Sequence, residues 1–154
     1  MSENNKKQPN GWVDTRFGMP SVGSTAERSK NVTLADIELF SAMTGDRNPL
    51  HTDKKAAEAS RFGGLIVQGG VTSGMLNAVV AEELPGPGTV FLSVEWKFIK
   101  ATYVGDTITA CVKVLELRED KPICTIETVV KNQHGEVCLE GKAVTYTASL
   151  TPVE

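Results

Sequence analysis

The strongest constraint on the fold of this 154-residue chain is an uncharged stretch from Phe62 to Ala81. It is long enough to span a membrane, but five glycines and the polar side chains of Gln68 and Asn77 interrupt it, so a membrane span is not expected. From Val71 to Ala81 no face of a helix would carry a charge. Such a helix must be enclosed by other structure. We therefore predict a buried core helix over residues 71–83.

The chain after this helix alternates apolar and polar residues in four runs, as expected for strands with one buried face. In the first run, Leu92, Val94 and Trp96 alternate with polar residues. Turn residues separate the runs. Helices followed by a block of strands are typical of the α+β class. We predict an antiparallel meander that wraps the apolar helix, with strands at residues 90–98, 107–117, 123–131 and 137–148.

The polar start of the chain is expected to be a flexible tail at residues 1–18. Residues 19–154 are expected to form a single domain, because no linker divides them. Within it, Asp36 stands three residues after Thr33, which predicts a capping box at the start of a helix. Gly45 is suited to end that helix.

Charge and cysteine usage exclude several classes of function. The net charge of −3 leaves no basic excess to neutralise phosphates, so nucleic acid is not expected as a partner, and neither is a membrane. Three cysteines, none in a Cys-x-x-Cys pair, favour free thiols in a reducing compartment. We expect a cytoplasmic protein without a signal peptide. Two histidines and scattered cysteines do not form a metal-ligand pattern, so no metal is expected.

The segment Gly-Asp-Arg-Asn-Pro-Leu-His at residues 45–51 places one of the two histidines five residues after an aspartate. Pro49 holds its own φ at roughly −65° and pushes Asn48 toward extended backbone, so we predict a stiff bend. On such a bend Asp46 and His51 can face one cavity and act as general acid and base. Turn residues also cap backbone groups, so a purely structural role for Asp46 and Asn48 stays open.

Gln68-Gly69-Gly70 directly precedes the predicted core helix. Two glycines allow a ligand to approach the backbone closely, and a helix N-terminus offers free N–H groups and a partial positive charge. Such a place can stabilise an oxygen that becomes negative during a reaction. The alternative interpretation is a tight turn from loop to helix.

The segment from Phe40 to His51, with its Asp-x-Asn-Pro-x-His core, resembles the signature of the (R)-specific enoyl-CoA hydratases within the MaoC-like dehydratase family. The resemblance extends through Val104-Gly105-Asp106 and covers roughly residues 20–150. It implies a hot-dog fold, in which an antiparallel sheet wraps a central helix. It also implies a homodimer, or a dimer of dimers, that binds an acyl-CoA substrate near the subunit interface.

The same resemblance implies that Asp46 and His51 are the catalytic pair and that the N–H of Gly69 binds the thioester oxygen. Asn77, two turns into the helix, is expected to line the site and orient the pair. Members of the family often have histidine at the position of Gln68, so the pocket wall of this protein is expected to differ from theirs. The residues expected to bind substrate are Asn48, Gln68, Gly70 and Asn77.

The expected activity is that of a hydro-lyase: reversible hydration of a trans-2-enoyl-CoA to an (R)-3-hydroxyacyl-CoA. His51 would act as base and Asp46 as acid on one water, without a metal or redox cofactor. Three alternatives stay open. They are a hot-dog acyl-CoA thioesterase, a non-catalytic acyl-CoA-binding module, and a dehydratase acting on acyl-carrier-protein thioesters or on branched or dicarboxylic CoA thioesters.

Overall fold

The computed structural model describes residues 10–150, and within them a five-stranded antiparallel sheet packs against a central helix, which confirms the α+β class. A single 3₁₀ turn, Asn10–Trp12, precedes these elements. The elements in chain order are β1 (Thr25–Asn31), α1 (Leu34–Thr44), α2 (Pro49–Thr52), α3 (Lys54–Ala59), α4 (Gly69–Glu82), β2 (Thr89–Phe98), β3 (Thr107–Leu117), β4 (Ile123–Lys131) and β5 (Val137–Thr147).

The order of strands across the sheet is β1-β3-β4-β5-β2. β3, β4 and β5 form the predicted meander, but β2 does not join it as a neighbour of β3. It pairs with β5 instead, in a register that places Val94 opposite Ala143 and Phe98 opposite Leu139. Eight residues separate β2 from β3, more than a tight hairpin turn uses, so the two strands are not held together as neighbours. The prediction of one continuous meander was therefore wrong for β2.

The core lies between α4 and the inner face of the sheet. Leu76, Val79 and Val80 of α4 are fully buried there. Alternate residues of β3 meet them, and full burial of a Val, Leu or Ile side chain contributes about 1.5–3 kcal/mol. The residues of β3 that are fully buried are Ile108, Ala110, Val112 and Val114.

The opposite face of α4 is only partly covered by its own chain. Gly70, Gly74 and Asn77 are exposed on it. Within a single chain the sheet therefore encloses α4 on one side only, and the predicted enclosure of the helix is incomplete.

The apolar side chains of β2 are also largely uncovered. β2 is an edge strand, and Val94 is 43% exposed and Phe98 60% exposed. Directly opposed residues of antiparallel strands share a face, so both belong to the side of the sheet that carries the buried Leu139 and Ala143. The predicted alternation of β2 holds from Ser93 to Phe98 but not at Leu92, because the register shifts between Phe91 and Ser93. Nothing in the described chain covers the apolar side chains of β2 fully.

Residues 10–12 already pack against the sheet, although a flexible tail was predicted over residues 1–18. Trp12 is fully buried, and its indole Nε1 donates to the carbonyl oxygen of Arg118 at 2.6 Å. Gly11 N–H donates to Glu119 O at 3.0 Å in the turn that follows β3. The expected tail is therefore corrected for residues 10–18, because an aromatic side chain there belongs to the core; residues 1–9 lie outside the described residues.

Both ends of α1 form as predicted. Thr33 N–H donates to Asp36 Oδ2 at 2.8 Å, which is the reciprocal half of a capping box. At the other end Gly45 adopts a φ of 82°, and its N–H donates to Ser41 O at 2.8 Å. No helix between residues 10 and 150 is both long and apolar enough to cross a membrane.

Candidate active site

The bend predicted at residues 45–51 contains a one-turn helix, α2. Asn48 is its N-cap, with a φ of −52° and a ψ of 128°, and Pro49 takes the first helical position. Proline is favoured there because its missing N–H would have no partner inside the helix and its φ already suits a helix. His51 is consequently held on a rigid turn that follows α1 almost directly.

Asp46 and Asn48 both cap backbone groups. Asp46 Oδ1 accepts from Asn48 N–H at 3.0 Å, and Asn48 Oδ1 accepts from Leu50 N–H at 3.1 Å. The structural alternative for these residues therefore occurs, but it uses only one oxygen of the carboxyl of Asp46. The other carboxyl oxygen, Oδ2, takes no part in this cap. Asp46 is half-buried, so Oδ2 can still meet a ligand.

The imidazole of His51 is held through one nitrogen. Its Nδ1 lies 2.6 Å from the carbonyl oxygen of Ile66. A carbonyl oxygen only accepts, so Nδ1 carries a proton and the neutral ring presents a lone pair at Nε2. This contact fixes the tautomer that a general base requires.

The loop that supplies this carbonyl is itself anchored. Ile66 N–H donates to Leu50 O at 3.2 Å, so the residue is tied to α2 twice. Ile66 also forms an isolated antiparallel bridge with Tyr103, whose hydroxyl donates to Phe62 O at 2.7 Å. The orientation of His51 thus depends on the segment before β3.

A cavity of about 410 Å³ lies between α1, α2 and the loop at Leu65. His51 and Arg47 line it on one side, and Ile37 and Ser41 line it on the other. Asp46 is not among its lining residues in the single chain. The structure therefore brings His51 to a cavity, whereas the shared cavity expected for Asp46 and His51 stays a prediction.

Gly69 and Gly70 are the first two residues of α4, not part of the loop before it as predicted. Their N–H groups have no partner inside the helix, and the N-cap Gln68 forms no capping bond to them through its side chain. The space that glycine leaves is occupied by aromatic rings. A Cβ on Gly69 would lie 2.9 Å from Phe98, and one on Gly70 would lie 2.3 Å from Phe40.

The other expected substrate-binding residues lie apart from His51. Gln68 is only 2% exposed, and its Nε2 donates to Ile37 O at 3.3 Å and to Ser41 Oγ at 3.0 Å. Gln68 therefore stands behind the cavity wall and does not line the cavity. Asn77 is exposed on α4, and no hydrogen bond within the described chain joins it to Asp46 or His51. Its expected role stays a prediction.

Sequence reasoning missed two contributors. The carbonyl oxygen of Ile66 carries no sequence signal, because every residue has one. Arg47 is exposed and also lines the cavity beside His51. Its position between the aspartate and the histidine of the motif was the available signal.

Within residues 10–150, no group of three or more His, Cys, Asp or Glu side chains is placed to hold a metal ion. Burial raises the pKa of the Cys124 thiol to about 12, so this cysteine stays protonated at neutral pH.

Comparison with known proteins shows the family of the chain. Residues 19–137 match the family model of the MaoC like domain. The (R)-specific enoyl-CoA hydratase of Aeromonas caviae is 37% identical over 123 residues, which are 80% of this chain and 92% of that protein. The 3-hydroxybutyryl-CoA dehydratase of Methylorubrum extorquens is 35% identical over 127 residues, covering 80% of this chain and 78% of that protein.

The fold agrees with solved structures as well. The structure of the (R)-hydratase from A. caviae superposes with a TM-score of 0.80 at 36% identity, covering 84% of this chain and 98% of that chain. R-hydratase PhaJ1 from Pseudomonas aeruginosa superposes with a TM-score of 0.78 at 31% identity, covering 88% and 92%. The expected hot-dog fold is confirmed, and the chain belongs to the MaoC-like domain family.

Proposed function

We propose that the protein is a hydro-lyase that adds water to the double bond of a trans-2-enoyl-CoA, giving an (R)-3-hydroxyacyl-CoA, and that it catalyses the reverse dehydration. The observation that carries the proposal is the contact between His51 Nδ1 and Ile66 O at 2.6 Å, which leaves Nε2 free to take a proton. The relatives at 35–37% identity are named as a hydratase and a dehydratase of CoA thioesters, which supports the same reaction class. The (R) stereochemistry follows the name of the A. caviae relative.

One water between His51 and Asp46 is the reacting group. His51 Nε2 takes one proton from it while its oxygen forms the bond to C3 of the substrate. The electron pair of the C2–C3 double bond moves toward the thioester, which becomes an enolate. Asp46 Oδ2 then delivers a proton to C2. Because both groups act from one side, the addition is syn.

The start of α4 supplies the oxyanion site. The N–H of Gly69, at the positive end of the helix dipole, donates to the thioester oxygen as negative charge develops on it. In other enzymes one such donor contributes about 2.7–4 kcal/mol. Neither a metal nor a redox cofactor takes part, since acid, base and N–H donor suffice for this reaction.

The active form is a homodimer in the cytoplasm. The exposed apolar side chains of the edge strand β2 and the uncovered face of α4 both favour a second copy of the chain as the partner. An edge strand with exposed apolar residues is unfavourable in a monomer, because its unpaired backbone groups and apolar surface both meet water.

The proposal is tested with a panel of trans-2-enoyl thioesters of varied length and branching. The panel contains esters of CoA and esters of acyl carrier protein. Loss of enoyl absorbance, with (R)-configured product, is expected. Release of free thiol from a saturated acyl-CoA, without hydration, would instead indicate the thioesterase. Tight binding with no turnover would indicate an acyl-CoA-binding module.

A further inference from the structure

The side chain of Gln68 joins two helices inside the protein. Its Nε2 donates to Ile37 O at 3.3 Å and to Ser41 Oγ at 3.0 Å, both on α1, while Gln68 itself is the N-cap of α4. Ile37 O has no proton to give, so the amide must present its NH₂ group to α1 and its oxygen elsewhere. That oxygen, Oε1, is buried and has no hydrogen-bond partner among residues 10–150.

The two acceptors on α1 form part of the wall of the His51 cavity. Ile37 and Ser41 are one helical turn apart, are 3% and 2% exposed, and line the cavity opposite His51. Gln68 therefore contacts the cavity wall from behind. A shift of α1 away from α4 would break both hydrogen bonds and change the distance across the cavity.

The same side chain connects the two parts of the proposed catalytic machinery. α1 leads through its C-cap into Asp46, which is the proposed acid. Gly69, the proposed oxyanion donor, is the residue directly after Gln68. The amide of Gln68 thus sets the separation between the acid–base turn and the N–H that stabilises the enolate.

We propose that Gln68 is a positioning residue that holds the oxyanion end of α4 in register with the acid–base turn, acting through Ile37 and Ser41 without touching substrate. This inference rests on the proposed hydratase function. A role in stability alone does not account for the amide, because an unpartnered buried oxygen is unfavourable. Ile37 O also keeps its bond from Ser41 N–H within the ladder of α1, so it does not need Gln68.

The test compares Gln68→Met with the wild type in hydration of crotonyl-CoA. Methionine has a similar length but neither donor nor orphaned oxygen. We expect kcat to fall about tenfold or more, since small misplacements of reacting groups are costly. KM should change by less than about threefold, and the melting temperature should stay the same or rise. Glu116→Met, a change of similar size at an exposed position of β3, is the matched control and should keep the wild-type kcat.

Ser41→Ala removes one of the two bonds and keeps Gln68, so it gives an answer even if Gln68→Met fails to fold. The kcat of Ser41→Ala should also fall. The double variant Gln68→Met/Ser41→Ala should have a kcat no lower than that of Gln68→Met alone. A Gln68→Met enzyme with kcat within about twofold of wild type would overturn the inference. A fall in kcat that is accompanied in both variants by a lower melting temperature would overturn it as well, because a loss of stability would then explain the loss of activity. If the wild type hydrated none of the enoyl-CoA esters, the proposed function itself would fail, and this inference with it.

Discussion

His51 Nδ1 and the carbonyl oxygen of Ile66 lie 2.6 Å apart, although 15 residues separate them in the chain. Ile66 also donates its N–H to Leu50 O, so the histidine-bearing turn and the loop hold each other through two hydrogen bonds. The lone pair on Nε2 therefore follows from a backbone contact, and the proposed role of His51 as base depends on that contact.

Replacement of either member of the proposed pair should abolish most of the hydration activity. His51→Ala and Asp46→Asn should each lower kcat by about 10²–10⁴, the usual contribution of a positioned acid or base. The rate is measured as loss of enoyl absorbance, and circular dichroism checks the fold. His134→Ala, which changes an exposed histidine in the β4–β5 turn, is the matched control and should be fully active. Wild-type turnover in either site variant would refute the mechanism.

A side chain at Gly70 should destabilise the protein. A Cβ there would lie 2.3 Å from the ring of Phe40, so Gly70→Ala should cost about 1–3 kcal/mol in the free energy of unfolding, less the gain in helix propensity. Urea denaturation measures it. Gly64→Ala is the control, because its Cβ would meet its nearest neighbour, Tyr103, at 3.9 Å. The double variant Gly70→Ala/Phe40→Ala should show coupling; strictly additive losses would mean that the ring is not the obstacle.

A charge on the edge strand should break the proposed homodimer. Val94→Glu places a carboxylate on an apolar side chain of β2 that is 43% exposed in the single chain. We expect a dimeric wild type and a monomeric variant in light scattering after size-exclusion chromatography. Val22→Glu, at a valine that is 64% exposed outside the sheet, should leave the dimer intact. A monomeric wild type would contradict the proposed assembly.

The capping box of α1 should make stability depend on pH. Burial alone would raise the pKa of Asp36, but hydrogen bonds from Lys30 and Thr33 outweigh it and hold that pKa below its usual range. A carboxylate with a lowered pKa stabilises the fold above its unfolded pKa, and the contribution is lost as pH falls through the folded value. Asp36→Asn removes this charge near the helix N-terminus and its ion pair with Lys30, so the free energy of unfolding should fall by about 1 kcal/mol at neutral pH.

The difference in free energy of unfolding between wild type and Asp36→Asn should narrow as the pH falls below about 4. Near that pH the carboxylate of the unfolded chain begins to be protonated, and the folded protein follows at lower pH. Thermal unfolding at a series of pH values measures it. Asp53→Asn serves as the control, since asparagine caps a helix as well as aspartate does. A difference that stays constant from pH 7 to the lowest pH at which the protein folds would disprove this role.

Local patterns predicted the elements well where local physics decides them. The alternation in β3 and β4 gave the observed bounds of both strands, because each has one buried face. Thr33, Asp36 and Gly45 marked both ends of α1, because capping depends on residues close in sequence. The turn at residues 45–51 was also predicted locally, since proline and asparagine restrict the backbone there.

Features that depend on distant partners were not predictable. β2 pairs with β5 because of how the whole sheet assembles, and its alternation alone is compatible with either neighbour. The rings that fill the space beside Gly69 and Gly70 come from β2 and α1. Gln68 was expected to line the pocket, but its amide donates hydrogen bonds to α1. These bonds depend on how α1 and α4 pack, which no local pattern indicates.

The buried indole near the start of the chain has a practical consequence for protein production. The family match begins at residue 19, and an expression boundary chosen there would delete Trp12 and leave an unfilled space against the sheet. Large-to-small changes at such aromatic sites cost about 3–5 kcal/mol, a large part of the stability of a typical domain. A recombinant protein trimmed at that position would be prone to aggregate, whereas one that retains residues 10–18 keeps its core and an intrinsic fluorophore that reports on unfolding.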